Sequence, residues 1–167
     1  RDPRMARLVI VAPIVQLLVF GYAVSTDVRH TPTIVLDRDQ SRDSRELVAA
    51  LTAGGSFDVV ATAQRDGDLA DALEHGRAAL ALAIPPGYSR DLAAGRATVQ
   101  LLFDGTNSNQ ATIAKGNAER IVQTVALARS LAGRAPPLEV RSRAWYNPDL
   151  ASRNYNVPAV IGLLLSL

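Results

Sequence analysis

The chain has 167 residues, no cysteine and two histidines. The absence of cysteine excludes disulfide bonds, zinc–thiolate and iron–sulfur centres and a thiol nucleophile. His30 and His75 have no partner at metal-ligand spacing, so we expect both at the surface. The 18 lysines and arginines nearly balance 16 aspartates and glutamates, and the resulting net charge of +2 argues against a nucleic-acid-binding surface.

Sequence motifs for nucleotide binding and hydrolysis are also missing. No Gly-x-x-x-x-Gly-Lys-Ser/Thr, Gly-x-Gly-x-x-Gly, Gly-x-Ser-x-Gly or His-Glu-x-x-His occurs in the sequence. We therefore expect no catalytic residue, no metal ion and no cofactor. An enzyme is the least favoured class, because no nucleophile is paired with a base.

The first 25 residues combine a positive flank with a long uncharged segment. Arg1, Arg4 and Arg7 stand against a single acid, Asp2, and account for the whole net charge. Residues 8–24 then carry no charge over about 17 positions, enough for a helix to cross a bilayer core of about 30 Å. Because positive flanks stay in the cytoplasm, the pattern predicts a transmembrane helix with its N-terminus inside.

Two residues of this segment indicate that it belongs to a bundle of helices. Pro13 and Gln16 would be costly against lipid, but neighbouring helices or water can satisfy the backbone and the amide. We therefore predict that both face a transmembrane bundle. A secretory signal peptide is the alternative interpretation, although its apolar region is usually shorter, at about 7 to 15 residues.

The last residues, 157–167, read VPAVIGLLLSL and are also uncharged. They predict the start of a second transmembrane helix that the sequence truncates. A buried helix of a soluble core is the alternative, because about 11 apolar residues do not separate the two cases. The predicted organisation is a flank and first span in residues 1–25, an extracytoplasmic domain in 26–156 and the second span from 157.

The segment between the apolar ends has the pattern of an α/β domain, because short aliphatic runs alternate with helical patterns. Five strands are predicted over residues 33–37, 58–62, 78–84, 98–104 and 138–145. The third is apolar at nearly every position and should be central, whereas the fifth alternates as an edge strand does. Helices are predicted to begin near residues 43, 68, 89 and 109 and to flank the sheet.

Two polar loops resemble ligand sites. Residues 37–43 place oxygen side chains at alternate positions, as a calcium loop does, but Arg42 stands where such a loop needs glycine. A strand-to-helix turn is favoured there, with Asp43 as the helix cap three residues before Glu46. Residues 104–109 could receive an anion at a helix N-terminus, but a turn with an N-cap explains the same residues and is favoured.

Aromatic and polar residues precede the second apolar segment and suit the interface of a membrane. Pro148 disfavours helix at Asn147, so the last strand should end at Asn147. We predict that this junction couples the outer domain to the second span, and a plain membrane anchor is the alternative. The candidate coupling residues are Trp145, Tyr146, Asn147, Pro148 and Arg153.

Several segments together resemble the ABC-2 type transporter permeases of bacteria. They are LVIVAPIVQLLVFGYAVSTDV after the basic start, IVLDRDQSRDSRELVAAL, DGTNSNQATIAKGNAERIV and WYNPDLASRNYNVPAVIGLLL, the last being the most specific. The similarity covers essentially the whole chain. It is closest to the drug-exporter branch that accompanies membrane-fusion proteins.

The resemblance implies the permease subunit of an exporter in the bacterial inner membrane, of which this chain is the N-terminal part. Such a subunit moves drugs or other amphipathic molecules outward. It pairs with a second permease protomer and with a separate ATP-binding subunit that hydrolyses ATP, and a periplasmic membrane-fusion protein is a further expected partner. A membrane-anchored sensor or ligand-binding domain is the alternative function.

Overall fold

A computed structural model describes residues 29–131 and 138–150, together with Val15. Its five strands are β1 (Thr31–Asp37), β2 (Phe57–Thr62), β3 (Leu80–Ile84), β4 (Ala97–Asp104) and β5 (Leu138–Trp145). They form one sheet in the order β2-β1-β3-β4-β5. β1 pairs in parallel with β2 and β3, and β4 pairs in parallel with β5, whereas β3 and β4 run antiparallel.

Four helices connect consecutive strands: α1 (Arg42–Ala53), α2 (Asp66–Glu74), α3 (Tyr88–Ala93) and α4 (Ser108–Leu131). The antiparallel pair follows from the turn after β3. Pro85 and Pro86 cannot extend the strand ladder, and Gly87 adopts a φ of 80°, which favours glycine. The chain therefore reverses before the six-residue α3, and β4 returns beside β3.

The helices cover the two faces of the sheet unequally. The larger core lies on one face, where α1, α3 and α4 pack on inward side chains that include Val35, Leu82, Val99 and Leu101. The smaller core lies on the other face, where α2 covers Ile34, Leu36 and Ala81 and reaches Leu102. Beyond α2, the second face of β4 and β5 carries the exposed side chains of Gln100, Glu139, Arg141 and Arg143.

The predicted α/β class and the positions of its five strands are confirmed. β3 is central and almost entirely buried, and β5 is an edge strand with alternating burial, as the sequence pattern predicts. β1 begins two residues earlier than predicted, since Thr31 and Pro32 pair with Phe57 and Asp58. Both histidines lie at the surface, His30 with 70% and His75 with 66% of the side chain exposed.

The turn between β1 and α1 is the predicted strand-to-helix turn, but the prediction of Asp43 as its cap is wrong. The carboxylate of Asp37 accepts the N–H groups of Asp39 and Gln40 at 3.0 and 2.9 Å, which turns the chain directly after β1. The helix therefore begins before Asp43. Ser41 is its N-cap, and its hydroxyl accepts the N–H of Ser44 at 3.0 Å.

Within residues 29–131 and 138–150, no helix combines the length and the apolar character needed to cross a bilayer. The predicted spans, residues 8–24 and 157–167, lie outside the described residues apart from Val15. The candidate residues Pro13, Gln16 and Arg153 lie outside them too.

Candidate functional site at the end of β5

The chain enters and leaves the domain at the same end of the sheet. Because β1 runs parallel to β3 but antiparallel to β4 and β5, Thr31 at the start of β1 lies at the same end as Trp145 at the end of β5. This end is termed the proximal edge, and the opposite end the distal edge. Three strand spacings, about 14 Å in total, separate β1 from β5.

Tyr146 turns the chain sharply at the proximal edge. Its φ is 65°, and the N–H of Asn147 donates to the carbonyl of Trp145 at 2.8 Å. This is a γ-turn with a left-handed central residue, a conformation that costs a non-glycine residue about 1–3 kcal/mol. The turn ends β5 at Trp145, the end of the predicted strand 138–145 and two residues before the stop at Asn147 that Pro148 indicates. It leaves Tyr146 63% exposed.

Gly105, in the loop between β4 and α4, is the residue on which this turn rests. Its N–H donates to the carbonyl of Trp145 at 2.9 Å. A Cβ at position 105 would lie 2.3 Å from that carbonyl oxygen and 3.1 Å from both the Cβ and the N of Asn147. Glycine is therefore required here by close approach of two backbone segments.

The rest of this loop follows the favoured interpretation of a turn with an N-cap. The carboxylate of Asp104 accepts the N–H of Thr106 at 2.9 Å, and the side chain of Asn107 accepts the N–H of Gln110 at 3.2 Å. These bonds fix the loop from which Gly105 contacts the turn at Tyr146.

Residues beyond the γ-turn remain attached to the domain. Asn147 is 6% exposed, and its carbonyl accepts the N–H of Leu150 at 2.9 Å. Leu150 packs against the larger core. The segment from Trp145 to Leu150 is therefore part of the domain's packed structure, with Pro148 on its outer side.

The indole of Trp145 is partly covered by the side chain of Arg143, which belongs to the same strand. The guanidinium carbon of Arg143 lies 5.9 Å from the centroid of the Trp145 ring, within the range of a cation–π contact. Residues two apart on a strand share a face, so both side chains lie on the same side of the sheet. This side, the face of β4 and β5 that α2 leaves uncovered, is termed the open face.

The structure thus brings four of the predicted site residues together at the proximal edge, with different roles. Tyr146 is presented outward, Trp145 stacks under Arg143, Asn147 is buried and Pro148 is exposed. Gly105 is a further residue of this site, which the sequence pattern does not reveal. An Asp-Gly pair after a strand indicates a turn, and nothing local reveals that the glycine contacts a segment forty residues later.

A second group of polar side chains joins the helices at the distal edge. The carboxylate of Asp39 accepts the N–H groups of Gly87 and Ser89 at 2.9 and 3.0 Å. The hydroxyl of Ser89 donates to Asp43 at 2.5 Å, and Arg129 of α4 donates to the same carboxylate at 2.8 Å. These four side chains, Asp39, Asp43, Ser89 and Arg129, are termed the distal clamp.

The electrostatics of the distal clamp favour ionised Asp39. The hydrogen bond from the Ser41 side chain lowers the pKa of Asp39 most, and the N–H groups of Ser89 and Gly87 lower it further against the opposing effect of burial. Next to the clamp, burial raises the pKa of Tyr88 to about 12. The clamp ties α1, α3 and α4 together and brings no group of metal ligands into one place within the described residues.

A groove lies on the open face of the sheet, where α2 stops covering it. Its volume is about 350 Å³, and its floor includes Leu36, Ala83, Gln100 and Arg141. Arg38 and Asp66, which form an ion pair at 2.7 Å, line its rim.

An α/β domain whose chain ends leave together at one edge is suited to insertion within a longer chain. The chain belongs to the ABC-2 family of transporter proteins, whose family model matches residues 6–167. It is 27% identical over 170 residues to the probable multidrug ABC transporter permease YbhR of Escherichia coli K12 and 23% identical over 172 residues to the related YbhS. The chain spans 46% and 45% of these two relatives, a little under half of their length.

A crystal structure supports the fold. It is that of a domain assigned to an ABC type-2 transporter from Thermotoga maritima MSB8, with a TM-score of 0.54 and 16% sequence identity. The match covers 81% of this chain and 99% of that domain. The mixed five-stranded sheet with flanking helices is thus a domain fold found in another chain assigned to this transporter type.

Proposed function

We propose that this chain forms part of the permease subunit of an ABC-2 exporter in the bacterial cytoplasmic membrane, with residues 26–156 on the extracytoplasmic side. The observation that carries the proposal is the family match over residues 6–167. The cargo is a drug or another amphipathic molecule, and the energy comes from ATP hydrolysis on a separate subunit. A second permease protomer completes the membrane pathway, and a periplasmic membrane-fusion protein extends it.

The geometry of the proximal edge supports an insertion between two spans. Packed helices lie about 8–10 Å apart, and β1 and β5 are about 14 Å apart. Two transmembrane helices that continue from Thr31 and Trp145 would therefore leave the domain as close neighbours. This placement puts the proximal edge against the membrane and the distal clamp away from it.

We further propose that Trp145, Tyr146, Asn147 and Pro148, continued by Arg153, couple the domain to the second span. A movement of that span reaches the domain through a segment whose carbonyls and side chains are fixed on Gly105 and on the core. The exposed ring of Tyr146 can contact a neighbouring transmembrane surface or the lipid interface.

The orientation is tested by cysteine labelling in this part of the transporter, whose 167 residues contain no native cysteine. Asp66→Cys and Arg96→Cys lie at exposed positions near the distal edge and should react with an impermeant maleimide added to intact cells. Arg4→Cys is the control and should react only after the membrane is opened. The opposite pattern of labelling would refute the orientation.

The coupling role is tested by Tyr146→Ala in the complete transporter. Leu127→Ala is a matched control, because Leu127 on α4 is 60% exposed, close to the 63% of Tyr146. Efflux of a fluorescent drug that the wild-type transporter exports should fall several-fold in the Tyr146 variant and stay unchanged in the control. Membrane insertion and copurification of the ATPase subunit should be normal in both. Normal efflux, or failure to insert, would leave the segment as an anchor.

A further inference from the structure

The floor of the groove on the open face is a single row of residues across four strands. Leu36 of β1 pairs with Ala83 of β3, Ala83 with Gln100 of β4, and Gln100 with Arg141 of β5. All four line the groove. Along about 14 Å the row therefore changes from aliphatic to amide to guanidinium.

The groove exists because the sheet is covered unequally. α2 has nine residues and packs over β1 and β3, so its edge forms one wall above Leu36. The small side chain of Ala83 leaves space beside this wall. A volume of about 350 Å³ falls within the range of sites that hold small molecules, about 300–1,000 Å³.

The charges around the groove differ between its two ends. At the apolar end Asp66 is neutralised by Arg38 at 2.7 Å. At the other end Arg141 forms an ion pair with Glu139 through Nε at 3.1 Å, but Glu139 does not line the groove. Within the described part of the chain neither the terminal nitrogens of Arg141 nor the amide of Gln100 makes a hydrogen bond. Hydrogen-bond donors thus lie at the end of the groove formed by Gln100 and Arg141, opposite the aliphatic end formed by Leu36 and Ala83. The charged side chains that line the groove are two arginines and one aspartate.

We propose that this groove binds an amphipathic anion, with its apolar body over Leu36 and Ala83 and its carboxylate, sulfonate or phosphate head at Gln100 and Arg141. A guanidinium binds such heads through two parallel hydrogen bonds, which a neutral or cationic head cannot form. The site goes beyond the permease role, because binding requires neither ATP nor the transmembrane pathway.

The test is photolabelling of the whole chain in maltoside micelles. The probe is 4-benzoylbenzoate, and the matched probe is 4-benzoylbenzylammonium, which has the same aromatic body and a positive head. The anion should label groove residues saturably, as mapped by tandem mass spectrometry of peptides, and the cation should not. Equal labelling by both probes, or no saturable labelling by the anion, would overturn the proposal.

Three variants locate the site. Arg141→Gln should weaken half-saturation about tenfold or more, the loss expected for a charge-assisted contact. Arg143→Gln is the control, since Arg143 lies on the same strand and face but stacks on Trp145 outside the groove, and it should change half-saturation less than twofold. Ala83→Leu fills the floor without altering charge and should abolish saturable labelling. Equal effects of the two arginine variants, or saturable labelling that survives Ala83→Leu, would each overturn the site.

Discussion

Replacement of Gly105 by alanine is the perturbation that tests the proximal edge most directly. The new Cβ would lie 2.3 Å from the carbonyl oxygen of Trp145, more than 1 Å short of an ordinary contact. The opposing atom is backbone, so no side-chain rotation relieves the overlap. Either the loop after β4 or the turn at Tyr146 must move, and the hydrogen bond from Gly105 to Trp145 then breaks.

The magnitude follows from three contributions. Overpacking in a buried site costs about 1–3 kcal/mol, and the lost hydrogen bond costs about 1 kcal/mol. Opening the turn releases the left-handed backbone of Tyr146 and returns about 1 kcal/mol or more. We therefore expect Gly105→Ala to lower the free energy of unfolding by about 2 kcal/mol.

The assay is urea unfolding of the whole chain in nonionic micelles, followed by the fluorescence of Trp145, the single tryptophan of the sequence. This tryptophan adjoins the turn, so its emission before unfolding also reports a displaced junction. Gly116→Ala is the matched control, because a Cβ at that exposed position of α4 meets nothing within 4 Å. In a helix interior this exchange should stabilise by about 0.5–1 kcal/mol.

The reasoning would be refuted if Gly105→Ala unfolded at the wild-type urea concentration with an unchanged emission maximum. The close approach would then not hold the turn, and the coupling proposal would lose its structural basis. A destabilised variant with wild-type emission would separate the two effects, since the loop rather than the turn would have moved.

Three further predictions concern the domain itself. Residues 29–150 alone should fold as a soluble domain with one cooperative thermal transition, and broad melting with exposed apolar surface would refute this. Because the pKa of Asp39 is lowered from 3.8, its stabilisation is complete above that pH and is lost as pH falls through the folded pKa, so the melting temperature of Asp39→Asn should depend less on pH below about 4 than that of the wild type. Arg129→Met should lower the unfolding free energy by about 1–3 kcal/mol, with Arg120→Met on the exposed side of α4 as the neutral control, and equal urea midpoints would contradict the distal clamp.

Periodicity predicts the elements of this fold because burial acts on each strand separately. The apolar run of β3 is buried on both faces, and in β5 Leu138 and Ala144 face the core while Glu139 and Arg141 face outward. These patterns arise within each strand and do not depend on which strand it pairs with. The order of strands in the sheet and the antiparallel return of β4 depend on pairing between distant segments, which local sequence signals do not contain.

The sequence indicates which residues form the junction after β5, but it does not indicate their conformation. Pro148 and the aromatic residues mark a junction, whereas the left-handed backbone of Tyr146 depends on Gly105, forty-one residues earlier in the chain. The role of Asp43 is hidden in the same way. The three-residue spacing from Asp43 to Glu46 is typical of a helix cap, but the carboxylate of Asp43 accepts a hydrogen bond from Arg129, which lies 86 residues away.

The antiparallel step between β3 and β4 has a mechanical consequence. The chain's two exits lie on strands of one continuous hydrogen-bonded sheet, so the domain acts as a spacer that sets the distance between them. Force that draws Thr31 away from Trp145 pulls across the strands at one end of the edge strand β5, so it loads the hydrogen bonds between β4 and β5 one after another from that end. Below the force that separates this strand pair, relative motion of the two exits tilts the domain as one rigid body.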